Sequence, residues 1–363
     1  MSKIRIAFFI SNLGQGGAEK QFVALINSLD SRKFEKHLFL YAYQKEAFYQ
    51  EILGNTDVTV VTNKLQNKFP LRKILEAGFY IKRQLKDVDY DVVVSTLFMN
   101  NFLVRLFAPQ KYRDKFVANV RTSLGFYTKW HVLGEKIQIK KSYLVFNSLK
   151  TQNNFRNIIS PKFHSRLHLI YNGFEVPNEK FEQNHGIIFG CLGRSSFEKN
   201  LIQAVRIFQQ FETPGLSSKL IIQGNEGNQH AEMLAQITSK NISIKGKDTE
   251  IDKFFQSIRV LIIPSLFEGC PNVLFEALLR RRICIISKGA NSDNFIENGL
   301  NGFVYDGSDA SLLDSLQKVT TILGTPKETE VIEVGYNYAL QNFSIENMVK
   351  NYERLFLQIN ESN

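Results

Sequence analysis

Short runs of consecutive apolar residues recur along this chain and alternate with stretches of helical period. Ile4–Ile10, Val92–Ser95, Phe116–Val120 and Tyr143–Phe146 are such runs in the first half. Ile187–Leu192, Val260–Ile263 and Ile283–Ile286 repeat the pattern in the second. None shows the apolar–polar alternation of a strand with one wet face, so they read as parallel strands buried on both sides. Parallel strands need crossover connections. Ala18–Leu29, Leu71–Lys86, Leu201–Phe211, His230–Ser239 and Ile251–Ser257 supply helical patterns between them. His37–Ala42, Val58–Val61, Leu167–Tyr171, Lys219–Gln223 and Ile242–Ile244 read as further strands, with a hydrophobic turn at Gly302–Tyr305. The alternation runs twice, on either side of the turn dipeptide Asn172-Gly173 and a polar linker, Glu175–Asn184. The expectation is an α/β chain of two doubly wound parallel-sheet domains.

Other classes are excluded by simple bounds. No apolar run approaches the ~20 residues needed to cross a bilayer. The first run is interrupted by Arg5 and lacks a small-residue cleavage site, so it reads as a buried strand and not a secretory signal. Cys191, Cys270 and Cys284 are odd in number and lack metal-ligand spacing, which fits reduced thiols in a cytoplasmic protein. Charge is uneven: the net +10 is concentrated in residues 1–176, where 27 Lys and Arg face 13 Asp and Glu. A surplus of that size calls for an anionic partner, whether membrane surface, nucleic acid or acidic acceptor. Leu71, Ile74, Leu75, Ile81 and Leu85 share one face of a predicted helix ringed by Arg72, Lys73, Lys82, Arg83 and Lys86. That helix suits either an anionic lipid surface or an ordinary domain helix with a solvated basic side. Phe126, Tyr127, Lys129 and Trp130, then Lys136, Lys140 and Lys141, form a second aromatic–basic tract.

The stretch Ile258–Leu279 carries the densest chemistry. Pro264 ends the apolar run, and a loop with Glu268 and Gly269 follows. Pro271 suits the first position of a helix on which Val273, Leu274, Ala277 and Leu278 share a face. Glu276 falls among them, where a carboxylate is expensive unless satisfied. Backbone amides over 269–273 are placed to meet an anion. Gly193-Arg194 and Lys199-Asn200 follow the first strand of the second half. Two fixed cations there would stabilise a departing anion, although such a pair taken alone is more often an ordinary surface feature. Gly14, Gly16 and Gly17 follow the first strand of all, either as a tight turn or as amides open to a phosphate or sugar. Asp87-Val-Asp89-Tyr-Asp91 matches a metal-binding D-x-D string. It precedes a strand, whereas sites in open α/β sheets gather beyond carboxyl ends, so it reads as a solvated turn.

Together these motifs resemble the retaining glycosyltransferases of the GT-B fold, in particular family 4 (group 1). Glu268 and Glu276 match that family's E-x7-E element, within a P-S-x-x-E-G-x-P-N string. The resemblance covers nearly the whole chain. It implies two Rossmann-like domains facing a cleft: residues 1–174 for the acceptor, 175–344 for the nucleotide sugar, and a helix in 345–363 returning to the first domain. It places Glu268 by the reacting carbon of the sugar, Glu276 on the nucleotide ribose, and Arg194 and Lys199 on the diphosphate. Gly16, Gly17, Asn200, Gly224, Lys247, Gly269, Cys270, Pro271, Asn272 and Val273 complete the implied donor site. Many members carry a His where this chain has Arg121, so Arg121 is the candidate contact to acceptor or sugar. The implied enzyme is a hexosyltransferase that uses no metal and no cofactor. Its implied donor is a nucleotide-diphosphate sugar, UDP-sugar favoured. Its implied acceptor is a glycan or polyprenyl-diphosphate-linked glycan in surface polysaccharide or lipopolysaccharide assembly, at the cytoplasmic face of the membrane. A sugar-nucleotide epimerase of the same fold and a basic nucleic-acid-binding protein are the alternatives. The second leaves Arg194, Lys199, Glu268 and Glu276 without a task, and no nucleic-acid partner is expected.

Overall fold

The computed structural model describes residues 3–14, 16–42, 57–65, 70–121, 128–177, 186–211, 217–224, 229–237, 239–246 and 251–362. The chain divides into two compact units, Met1–Gly173 with Ile345–Asn363, and Phe174–Ser344.

The strands of the first unit are β1 (Ile4–Ile10), β2 (Phe34–Leu40), β3 (Val58–Thr62), β4 (Val92–Thr96), β5 (Phe116–Val120), β6 (Ser142–Phe146) and β7 (Leu167–Leu169). They pair in parallel in the order β3-β2-β1-β4-β5-β6-β7. Alternate residues of β1 point to opposite layers. Phe8 and Ile10 meet Phe22, Leu25 and Ile26 of α1 (Gly17–Ser28). Ala7 and Phe9 meet Ala77, Ile81 and Leu85 of α2 (Pro70–Asp87) and Leu103 and Val104 of α3 (Phe98–Phe107). Burial on both faces is why β1 is apolar without a break from Ile6 to Ile10, each large side chain contributing about 1.5–3 kcal/mol. Helices α4 (Lys129–Gln138) and α5 (Leu149–Ile158) follow β5 and β6.

The second unit repeats the scheme with β8 (Ile187–Leu192), β9 (Ser218–Gln223), β10 (Ile242–Lys245), β11 (Val260–Ile263), β12 (Ile283–Ser287) and β13 (Phe303–Tyr305). Their order is β10-β9-β8-β11-β12-β13, again parallel. The chain winds outward from β8 to β10 and then returns to lay β11 on the other side of β8. The topological switch point of this sheet therefore lies between β8 and β11. Its helices are α6 (Leu201–Gln210), α7 (Gln229–Ala235), α8 (Ile251–Ser257), α9 (Asn272–Leu278), α10 (Asp309–Ile322) and α11 (Pro326–Phe343). The last helix, α12 (Ile345–Glu361), belongs to the first unit. Met348, Val349, Tyr352, Leu355, Phe356 and Ile359 bury one face of it in the core beside α1.

Several sequence expectations need correction. β2 begins at Phe34, not His37, because Phe34 is fully packed and Lys36 reaches back to the Leu29 carbonyl at 3.1 Å. β7 ends at Leu169, two residues short of the end the apolar run over Leu167–Tyr171 predicts. Pro271 stands just outside α9 in extended conformation, one residue before the helix begins. Two helices, α10 and α11, occupy a region to which the apolar pattern assigns no element. Their starts are marked by other signals, the Ser308 hydroxyl accepting from the Ser311 amide and Pro326 at a first-turn position. Helix α2 differs most: Ile81 and Leu85 are buried, but Leu71 and Leu75 of the expected apolar face are exposed.

Candidate functional site

The switch point of the second sheet brings two separated loops together. After β8, Gly193 leaves the sheet with φ +150°, its amide bonded to the Gln223 carbonyl at 3.0 Å. A short 3-10 turn, Phe197–Lys199, is closed by Asn200 in the left-handed region, a conformation asparagine tolerates. The turn delivers Lys199, whose Nζ lies 2.5 Å from Oε1 of Glu268. Glu268 arrives from the loop after β11. Ser265 Oγ donates to the same Oε1 at 2.8 Å, and Ser292 Oγ donates to the Glu268 carbonyl at 3.0 Å. The Leu266 amide donates to the Glu198 carbonyl at 2.8 Å, joining the two loops through the backbone. A third loop packs beneath them: a Cβ on Gly289 would lie 1.9 Å from the Leu266 carbonyl oxygen, so only glycine fits.

The Lys199 and Glu268 side chains are 23% and 14% exposed. Attraction between them is therefore less screened than in a surface pair, where the median worth is ~0–1 kcal/mol. Arg194 differs. It is 79% exposed, and its guanidinium lies 3.9 Å from Glu198. Of the two predicted cations, the structure sets Lys199 on Glu268 and leaves Arg194 at the solvent edge.

The remaining donor-site candidates flank this pair. Gly224 has φ +102°, and a Cβ there would approach the Gly193 carbonyl to 2.6 Å. Its amide reaches the Gly246 carbonyl at 3.3 Å, so the carboxyl ends of β8, β9 and β10 are stitched in sequence. Lys247 lies outside the described residues. Gly269, Cys270, Asn272 and Val273 are half-buried and Pro271 is buried. Glu276 sits in α9 at 9% exposure, among Leu274, Phe275, Ala277 and Leu278.

In the first unit Gly16 caps α1 in extended conformation and Gly17 is exposed. Arg121 at the end of β5 gives Nη1 to Asn172 at 2.5 Å and Nη2 to the Tyr352 hydroxyl at 3.3 Å, tying that strand to α12. His37 bridges Glu35 and the Tyr90 hydroxyl, and His131 caps its own helix with Thr128. Two aspartates of the D-x-D string are otherwise engaged: Asp89 pairs with Lys111 at 2.6 Å, and Asp91 accepts the Arg5 amide at 2.8 Å.

Ser292 and Gly289 have no role in the sequence reading, and Ser265 enters it only as the serine of the P-S-x-x-E-G string. Ser265 stands three residues before Glu268, a spacing at which a loop hydroxyl can meet a carboxylate. Gly289 and Ser292 come from another strand's loop, and no local signal marks them.

Burial pushes the Cys191 thiol up to about 12 and raises that of Cys284 as well, while Cys270 is half-buried beside Glu268. At pH 8 iodoacetamide is expected to label Cys270 of the folded protein and leave the other two unmodified. Peptide mapping after quench reads the outcome.

The fold has the two parallel α/β sheets of the GT-B class. Residues 186–321 match the family described as glycosyl transferases group 1, and residues 15–176 match glycosyltransferase family 4. The chain belongs to the group 1, family 4 glycosyltransferases. It is 22% identical over 323 residues to a Campylobacter jejuni alpha-1,4-N-acetyl-D-galactosaminyltransferase whose name specifies a diNAcBac-PP-undecaprenol glycan, covering 85% of this chain and 84% of that one. It is 25% identical over 327 residues to the capsular polysaccharide biosynthesis glycosyltransferase CapH of Staphylococcus aureus, covering 84% and 86%. Among solved structures, Anabaena Alr3699/HepE with UDP and glucose superposes with a TM-score of 0.80 at 16% identity, covering 98% of this chain and 100% of that one.

Proposed function

We propose that the second unit binds a UDP-sugar and that the enzyme transfers a hexosyl group, with retention and without a metal, to a polyprenyl-diphosphate-linked glycan. The observation that carries this reading is the Lys199–Glu268 contact at the switch point of the second sheet, where open α/β sheets take their ligands. Lys199 would share its charge with the departing diphosphate, assisted by Arg194 from the solvent side. Such fixed cations act where negative charge grows in the transition state and need little reorganisation. Glu268, steadied by Ser265, would stand beside the sugar and support positive charge at its reacting carbon. Glu276 would take the ribose hydroxyls, which would repay the cost of its burial. The leaving phosphate oxygen would remove the acceptor proton.

Arg121, whose Nε has no partner among the described residues, is the candidate for acceptor contact in the first unit. The basic surplus of that unit suits a lipid-borne diphosphate, and the Campylobacter relative is named for one. On this reading the work is done at the inner membrane face. The test is a panel of nucleotide sugars, scored for released nucleotide with and without an undecaprenyl-diphosphate glycan and with and without EDTA. UDP release that depends on the lipid acceptor and survives EDTA is expected. Interconversion of the donor without nucleotide release would make the chain an epimerase instead.

A further inference from the structure

Helix α2 carries two apolar stripes, and among the described residues its neighbours cover only one. Ala77, Ile81 and Leu85 are buried in the core. Gly78 lets α3 approach so closely that a Cβ would lie 2.6 Å from the Phe107 ring. On the other side Leu71, Leu75 and Phe79, one turn apart, are 70%, 44% and 68% exposed. A period of 3.6 residues sets them in one sector with Arg72, Lys82, Arg83 and Lys86. All four cations are exposed, and Glu76 and Asp87 fall beyond the sector's edge. Helix α4 repeats the arrangement. Leu133 and Ile137, also a turn apart, are 45% and 58% exposed beside exposed Lys136 and Lys140. Helix α3 joins the two: Phe107 meets α2, and Arg105 is paired with Glu135 of α4 at 2.8 Å.

We propose that the outer face of α2 and α4 docks on an anionic phospholipid bilayer. Leu71, Leu75, Phe79, Leu133 and Ile137 enter the boundary between headgroups and acyl chains. The interleaved lysines and arginines lay their stems along that boundary and hold anionic headgroups. This deepens the reading of a lipid-carried acceptor, because docking confines the enzyme to the surface where that acceptor lies. Charge decides the occupant. A second copy of the chain would bring cations against cations, and dry protein interfaces are depleted in lysine at their centre. A nucleic acid would satisfy the cations but offer Leu71 and Leu75 no apolar phase.

The test is co-sedimentation of the full chain with vesicles of phosphatidylcholine alone and of phosphatidylcholine with phosphatidylglycerol. Binding to the mixed vesicles is expected to exceed binding to the neutral ones by about tenfold or more. The pair Leu75→Ser and Phe79→Ser should weaken it by about tenfold, and Lys82→Glu with Arg83→Glu by more. UDP affinity, read by calorimetry without lipid, should be unchanged in all of these variants, since none lies in the site. Equal binding to both vesicles overturns the proposal, as does full binding by the serine pair. So does a lipid-free dimer that the serine pair dissociates. Vesicle binding without any UDP release would instead sink the transferase assignment and leave the docking face standing.

Discussion

Lys199→Ala is expected to lower kcat by about 10²–10³ while the melting temperature stays within a few degrees of the parent. The side chain is partly open to solvent, so its removal leaves no deep cavity and no fully buried orphan charge. Its partner keeps Ser265 and remains near water. What disappears is a cation already in place when the diphosphate departs, and that loss falls on the transition state more than on ground-state binding. Affinity for UDP should weaken by a smaller factor, because UDP already carries the charge that Lys199 meets. Glu268→Gln keeps the shape and the Ser265 contact but removes the carboxylate's charge. It should cost as much in kcat with little change in UDP affinity. Calorimetry with UDP and single-turnover transfer separate the two variants. Wild-type turnover by Lys199→Ala would remove the diphosphate assignment.

How much of this was legible in the sequence depends on how local each signal is. Strands β1, β8 and β11 are legible to the residue and β4 to within one, since burial on both faces demands a largely apolar run. The Glu268 loop was legible because proline, glycine and two acids mark it within one short stretch. The contact between Lys199 and Glu268 was not, since their loops meet only once β11 has been laid beside β8. Gly289 was invisible for the same reason: its need for a missing Cβ comes from a carbonyl more than twenty residues earlier. Helix α2 misled in an instructive way. Leu71 and Leu75 have the right period for a buried face, yet a helix apolar on two sides can bury only one against the sheet. Periodicity alone does not say which.

Breaking the ion pair between α3 and α4 is expected to cost about 3–5 kcal/mol of stability in the first unit. Arg105 and Glu135 are each 1% exposed, and two parallel N–H···O contacts of 2.9 and 2.8 Å join them. The guanidinium also donates to the Asn101 carbonyl at 2.8 Å and to Ser142 Oγ at 3.3 Å, so nearly all of its N–H groups are engaged. Arg105→Met strands a carboxylate away from water, and Glu135→Leu strands a guanidinium. Each single variant therefore carries a desolvation penalty without the opposite charge to offset it. The double variant removes both charges together and should recover most of the loss, because a well-filled apolar contact of similar volume is often as stable as a buried pair. Urea titration followed by a probe in the first unit measures the cycle, since a chain of two units need not unfold in one step. A large coupling energy identifies charge complementarity as what holds α4 to α3, and with it the register of the exposed basic–apolar face. A double variant as unstable as either single would show instead that shape, and not charge, joins these helices.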